Sequence, residues 1–345
     1  MTKIKKVNTE LALFTDIARL IDESKSYVAY TVNAALTILY WKIGKRINNE
    51  VLDNKRAEYG KQIVVSLSQQ LGNEYSNSFS DKNIRRMMQF AEVFADEAIV
   101  VSAIRQLSWT HFIALIPLKE PLQREFYTEM CRVEGWSVKT LREKIDGMLY
   151  ERTAISKKPE KLIQQEIKAL REEDKLSPDL VFRDPYFLDF LGLKDTYSER
   201  NLEDAILHEL EKFILELGQG FTFVERQKRM IIDGEDFNLD LLFYHRKLKR
   251  LIAIDLKLGK FKASYKGQME LYLRWLEKNE MQQGEETPLG LILCAAGNDE
   301  QVELLQLHKA GIKVAEFMTE LPSKKLLQQK LHKAVELSKK RLEQK

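Results

Sequence analysis

Cysteine is nearly absent: Cys131 and Cys294 are the two in 345 residues, far apart and without metal-ligand spacing. That argues against a disulfide framework and for a reduced, cytoplasmic chain. No run of about 18 apolar residues occurs, which excludes a membrane-spanning helix. The basic start "MTKIKKVNTELALF" is followed by no apolar run of signal-peptide length. A dominant charge is also missing. Lys and Arg number 55 against 52 Asp and Glu, a net +3, so any contact with nucleic acid requires basic residues gathered on particular faces. Low-complexity tracts and fixed-period repeats are lacking as well. Proline is scarce, seven in all, and three of these, Pro159, Pro178 and Pro185, fall in one highly charged stretch.

That stretch, residues 151–185, reads as a linker with one exposed helix and marks a domain boundary. Before it, residues 1–150 read as helix after helix. "GKQIVVSLSQQLGNEY" puts Ile63, Val64, Leu67 and Leu71 on one stripe. Ser80 is positioned to cap "DKNIRRMMQFAEVFA", Ser108 to cap "WTHFIALI" and Ser137 to cap "VKTLREKIDGMLY". Gly44 tolerates a close approach or a bend.

Beyond the linker, residues 186–320 change character. "SERNLEDAILHELEKFILELG" is an amphipathic helix that Gly218 terminates. Three strands, a helix, a strand, a helix and a strand follow, an order that indicates a mixed sheet with helices on its faces. Residues 321–345 form a basic amphipathic helix. Its apolar stripe of Leu327, Leu331, Ala334 and Leu337 either packs on its own domain or meets a partner.

"FNLDLLFYHRKLKRLIAIDLKLG", residues 237–259, looks like a hairpin of two core strands. Yet Asp240 interrupts the first, and Asp255 and Lys257 the second. Alternation puts Asp255 and Lys257 on one strand face. If the turn centres on Lys247 and Leu248, Asp240 faces Asp255, and a longer turn would shift that register. Two facing carboxylates repel unless something positive lies between them. A divalent cation meets that need, with Asp240, Asp255 and the Leu256 carbonyl as ligands and Lys257 beside them. The plain alternative for an Asp-x-Lys is a surface ion pair. Glu203, on the preceding helix, is chosen as a further ligand, although acidic residues near a helix N-terminus also suit the helix dipole. Gln268 and Tyr272 share a face of the following helix, placed for a phosphate, a base or a neighbouring carboxylate.

A carboxylate on one strand, D-x-K on the next and Q-x-x-x-Y on the following helix resemble the PD-(D/E)-x-K nuclease superfamily, in its RecB-like and Holliday-junction-resolvase-like branches. "LELGQGFTFVERQ", "GQMELYL", "GLILC", "YWKIGKRI", "SFSDKNIRRMMQF" and "GWSVKTLREKIDGMLYER" are closer still to the bacterial YhcG-type proteins. The resemblance covers nearly the whole chain. It implies an α+β protein with an all-helical N-terminal domain and a restriction-endonuclease-like α/β domain of order αβββαβαβ around a central mixed sheet. It further implies a Mg²⁺-dependent DNA endonuclease, with Mn²⁺ as a substitute and no organic cofactor, acting in defence or in DNA recombination and repair. Asp240 and Asp255 would bind metal, Lys257 would be catalytic, Glu203 would be the helix carboxylate, and Gln268 with Tyr272 the additional motif. The family's motif proline is absent, since Leu239 precedes Asp240, and the second acid is Asp255 instead of Glu.

Lys82, Arg85, Arg86 and Gln89 form a candidate DNA-reading face on a helix preceded by another helix. "GNEYSNSFS" is longer than a helix-turn-helix turn, and such a cluster also suits a solvated face. Arg226 and Gln227 are further candidates for the DNA backbone. Two other readings stay open: a DNA-binding or assembly protein that keeps the fold without cutting, and an RNA-directed nuclease. A homodimer is expected from the need to cut two strands.

Overall fold

The computed structural model describes residues 2–53, 57–193, 197–296 and 299–343. The chain divides into two compact units, Met1–Lys144 and Ile145–Lys345.

The first unit is helical, as expected: α1 Thr2–Asp53, α2 Ala57–Glu74, α3 Asp81–Val93, α4 Glu97–Ala103, α5 Trp109–Leu115, α6 Pro121–Glu134 and α7 Val138–Asp146, the last crossing into the second unit. Its core forms where α1 crosses α3. Ile84, Met87, Phe90 and Ala91 recur at helical spacing and are buried. Gly44 is the point of closest approach, where an added Cβ would lie 1.9 Å from the Met87 carbonyl oxygen. Around it, α1 side chains donate to carbonyls of α3 and just beyond it. The Trp41 indole donates to Phe94 O, beyond the end of α3, at 2.7 Å, an acceptor that a helix terminus leaves open, and Asn48 donates to Met88 O at 2.8 Å. Ser108 caps α5 in a reciprocal box with His111, and the Ser137 hydroxyl accepts from the Thr140 amide. Ser80 precedes α3 but makes no side-chain cap.

The second unit contains α8 Leu149–Arg152, α9 Glu160–Glu173, α10 Pro178–Val181, β1 Tyr186–Phe187, α11 Glu199–His208, α12 Leu210–Leu217, β2 Phe221–Ile232, β3 Glu235–His245, β4 Arg250–Lys260, α13 Ser264–Asn279, β5 Leu289–Ala296, α14 Asp299–Leu304, β6 Ile312–Met318 and α15 Lys324–Glu343. The six strands form one mixed sheet in the order β1-β6-β5-β4-β3-β2. β2, β3 and β4 are antiparallel, while β4, β5, β6 and β1 run parallel. One face is covered by Leu202, Ile206, Phe213 and Leu217 of α11 and α12 against Leu241, Phe243, Ile254 and Leu256. The other takes Met269, Leu273 and Leu276 of α13 against Ala253, Ile292 and Cys294. β4 is therefore buried on both faces, which explains the apolar run Leu251–Ile254 ahead of Asp255.

Three expectations are corrected. Residues 151–185 are not a linker: Ile155, Ile163, Ile167, Leu170, Leu180 and Phe182 are buried in the second unit. Their charges are tied down as well, since Arg152 and Arg183 both pair with Glu216 of α12, and Phe187 N donates to the same carboxylate at 2.8 Å. The helix expected from Ser198 to Gly218 is two helices, because Glu209 leaves helical geometry, although Gly218 does end the second. The C-terminal stripe packs on its own unit: Leu327 and Leu331 are buried with Met148, Ala334 is exposed, and the Leu337 side chain lies outside the described residues. Cys131 and Cys294 are free and buried. Among the described residues no helix is long and apolar enough to cross a membrane.

Candidate active site

The turn after His245 sets the register. His245 pairs with Arg250, and the ladder ends with Leu241 against Ile254, the residues adjoining Asp240 and Asp255. The expected turn register holds up to that pair, and the two carboxylates lie near enough for Asp240 to act on Asp255 through its charge. Asp240 is held there by the Leu256 amide, which donates to Asp240 Oδ2 at 2.7 Å. Asp255 is 4% exposed and meets the Lys257 ammonium at 2.9 Å, which sits 5.4 Å from the centre of the Tyr265 ring.

Burial of such groups is tolerated because of what surrounds them. Fully burying one Leu or Ile stabilises by about 1.5–3 kcal/mol, and β4 contributes several, enough to offset a buried but paired carboxylate, which costs several kcal/mol. Burial nevertheless leaves its mark on the acids. It pushes Asp255 up to about 6, against the pull of Lys257 and with the help of Asp240. It raises Asp240 and Glu203 too. For Lys257, burial favours the neutral amine, but Asp255, Asp240 and Glu199 outweigh it and raise the ammonium's affinity for its proton. Lys257 is therefore a cation at neutral pH, suited to donating and unsuited to accepting a proton.

Glu203 reaches the same cluster from α11. It is buried, and Gln227 Nε2 bridges it to Asp240, at 2.8 Å from Glu203 Oε2 and 3.2 Å from Asp240 Oδ1. Arg226 Nε lies 2.9 Å from Glu203 Oε1 as an ion partner. Its N–H is not aligned for a hydrogen bond, and that buried oxygen has none. Arg226 also bonds Asp204 at 2.9 Å. Arg226 and Gln227, expected at a DNA backbone, are thus engaged with site carboxylates.

Gln268 and Tyr272 come together, with the amide donating to the phenol oxygen at 2.6 Å, and the Tyr272 hydroxyl donates to Asn238 O at 3.2 Å. The pair braces the strand two residues before Asp240; neither side chain hydrogen-bonds a site carboxylate. Two contributors escaped the sequence reading. Glu199, one turn before Glu203, accepts from the Leu258 amide at 3.2 Å and acts on Asp240, Asp255 and Lys257 through its charge; its i, i+4 spacing from Glu203 was a usable signal. The bridging role of Gln227 had no such signal.

Among the described residues, no three carboxylate, imidazole or thiol groups are gathered closely enough to hold a metal ion. The donor set still suits a hard divalent cation: oxygen ligands only, three of them carboxylates that burial disfavours as anions, and one buried oxygen without a hydrogen bond.

In the first unit, Lys82, Arg85 and Gln89 are exposed and Arg86 is half-buried. Arg85 pairs with Asp81 on the same helix through Nε and Nη2, each at 3.0 Å.

Comparison with known proteins agrees in both halves. The DUF1016 N-terminal domain model matches residues 16–152, and the YhcG PDDEXK nuclease domain model matches residues 179–332. Two solved structures align over 38% of the chain and about half of their own. These are a repair endonuclease from Pyrococcus abyssi (20% identity, TM-score 0.27) and an EndoMS–dsDNA complex (15%, 0.28). The YhcG protein of Escherichia coli (strain K12) is 34% identical over 346 residues, covering 91% of this chain and 92% of that protein. The chain belongs to the YhcG family, whose C-terminal part is a PD-(D/E)-x-K nuclease domain.

Proposed function

We propose that the second unit is a Mg²⁺-dependent DNA endonuclease, with Mn²⁺ as a working substitute. The observation that carries this reading is the convergence of Asp240, held by the Leu256 amide, and Asp255, with the charged Lys257 alongside. Asp240, Asp255, Glu203 and the Leu256 carbonyl would hold the cation. When bound, it supplies Lewis-acid stabilisation of the phosphate and a more acidic water. Lys257 donates to a phosphate oxygen as negative charge grows during attack of water on phosphorus and departure of the sugar oxygen. Gln268 and Tyr272 fix the strand that carries Asp240. Lys82, Arg86 and Gln89 are assigned to contact DNA away from the chemistry, and the two buried thiols suit a cytoplasmic setting.

The test compares wild type with Asp255→Ala on supercoiled, linear, branched and single-stranded DNA and on RNA, with and without Mg²⁺. Mg²⁺-dependent cutting of DNA by wild type alone supports the reading, and preference for branched DNA would favour recombination or repair over defence. DNA binding without cutting by wild type would replace the reading with a binding protein, and selective cutting of RNA would replace the substrate.

A further inference from the structure

Gln227 has an unusual backbone for a residue inside a strand. Its φ is +47°, in the left-handed region that costs a non-glycine residue roughly 1 kcal/mol or more. β2 is an edge strand, and its pairing with β3 slips by one residue between Phe223 and Glu225. That slip, with the local twist it brings, precedes the point where the Gln227 side chain turns between α11 and β3. There its amide nitrogen is shared by Glu203 and Asp240. An amide has two N–H donors and no charge. It satisfies one oxygen on each acid but cannot neutralise two converging carboxylates, and Glu203 keeps a buried oxygen with no hydrogen bond.

We propose that the Gln227 side-chain amide is a displaceable stand-in for the catalytic cation: it holds Glu203 and Asp240 together in the metal-free protein and leaves when the ion binds. The inference rests on the metal-dependent reading above. A Mg²⁺ ion sits at about 2.0–2.1 Å from its ligand oxygens, so the ion and the amide cannot both lie between the same two carboxylates. Binding then carries the cost of breaking two charge-assisted hydrogen bonds. Gln227 is a positioning residue in this scheme. It weakens cation binding while keeping the acids from repelling one another before the ion arrives.

The test measures Mn²⁺ binding by calorimetry and thermal unfolding with and without Mn²⁺, on the full chain without nucleic acid. The variants are Gln227→Met, which keeps length and loses the donors, Gln227→Leu, which loses them in a shorter side chain, and Asp240→Asn. Expected are a lower Tm for both Gln227 variants in the absence of metal and Mn²⁺ affinity about tenfold tighter than wild type, equivalent to ~1.4 kcal/mol. The gain in Tm on adding metal should be larger than in wild type. Either Gln227 variant suffices if the other fails to fold. Unchanged or weaker affinity in a folded Gln227 variant would overturn the inference and leave the nuclease reading standing, provided wild type binds Mn²⁺ and Asp240→Asn does not. Absence of Asp240-dependent Mn²⁺ binding in wild type would sink both.

Discussion

The Leu256 amide and the Asp240 carboxylate are joined across β3 and β4 by a 2.7 Å hydrogen bond. A ladder amide is thereby spent on orienting an acid, and the strand pair becomes a rigid mount for the site. Lys257, two residues along β4 from Asp255, brings its ammonium to that carboxylate at 2.9 Å.

Replacement of that lysine should affect chemistry and spare binding. Lys257→Met is expected to lower the single-turnover cleavage rate by about 10²–10³-fold, the scale of losing one preorganised donor to developing charge. DNA affinity measured in Ca²⁺ should change less than threefold in comparison, or roughly 0.6 kcal/mol. A parallel loss of affinity would mean that Lys257 serves ground-state binding.

The Glu216 carboxylate holds Arg152 and Arg183, both 5% exposed or less at the side chain. Glu216→Gln keeps the shape and removes the charge, leaving two buried guanidinium groups without a counter-ion. It should destabilise the second unit by about 3–5 kcal/mol, read from chemical denaturation. A loss under 1 kcal/mol would show the trio to be solvated in solution.

Gly44 predicts a steric effect in the first unit. An alanine Cβ there would collide with the Met87 carbonyl, a backbone atom that cannot rotate away. Gly44→Ala should cost about 1–3 kcal/mol or more, seen as a lower Tm for the helical unit, whereas the helix-favouring nature of alanine alone would raise it.

His245 gives the fold an acid sensitivity. It is fully buried, its Nδ1 accepts from the Leu248 amide at 3.1 Å, and burial lowers it to about 4 from 6.5. The unfolded chain binds the proton more readily, so stability rises with pH through this range. The contribution is complete above about pH 6.5 and is lost as pH falls towards 4, up to about 3 kcal/mol for a shift of this size. Unfolding followed from pH 7.5 to 4 should show that slope in wild type and a shallower one in His245→Gln.

What the sequence made legible depended on local periodicity. The hairpin register followed from two apolar runs and a short basic turn, and it set Leu241 against Ile254, beside Asp240 and Asp255, without reference to any distant residue. Gly44 was recognisable as a place of close approach, but its partner Met87 was not. The Gln227 bridge was hidden because it depends on a slipped register and a left-handed backbone in β2, neither of which leaves a glycine or asparagine as a marker. Residues 151–185 were misread for a related reason. Their charge density resembles solvated chain, and the partner that buries Arg152 and Arg183 is Glu216, which lies 64 and 33 positions away.

That last trio bears on how the nuclease part can be excised. A fragment begun at residue 179, where the nuclease-domain match starts, would keep Arg183 and Glu216 and discard Arg152, together with the packing of Ile155, Ile163 and Ile167. The cut would run through a folded body. The compact unit that holds this interior begins at Ile145, so the stretch between the two family matches belongs, in folding terms, with the nuclease domain.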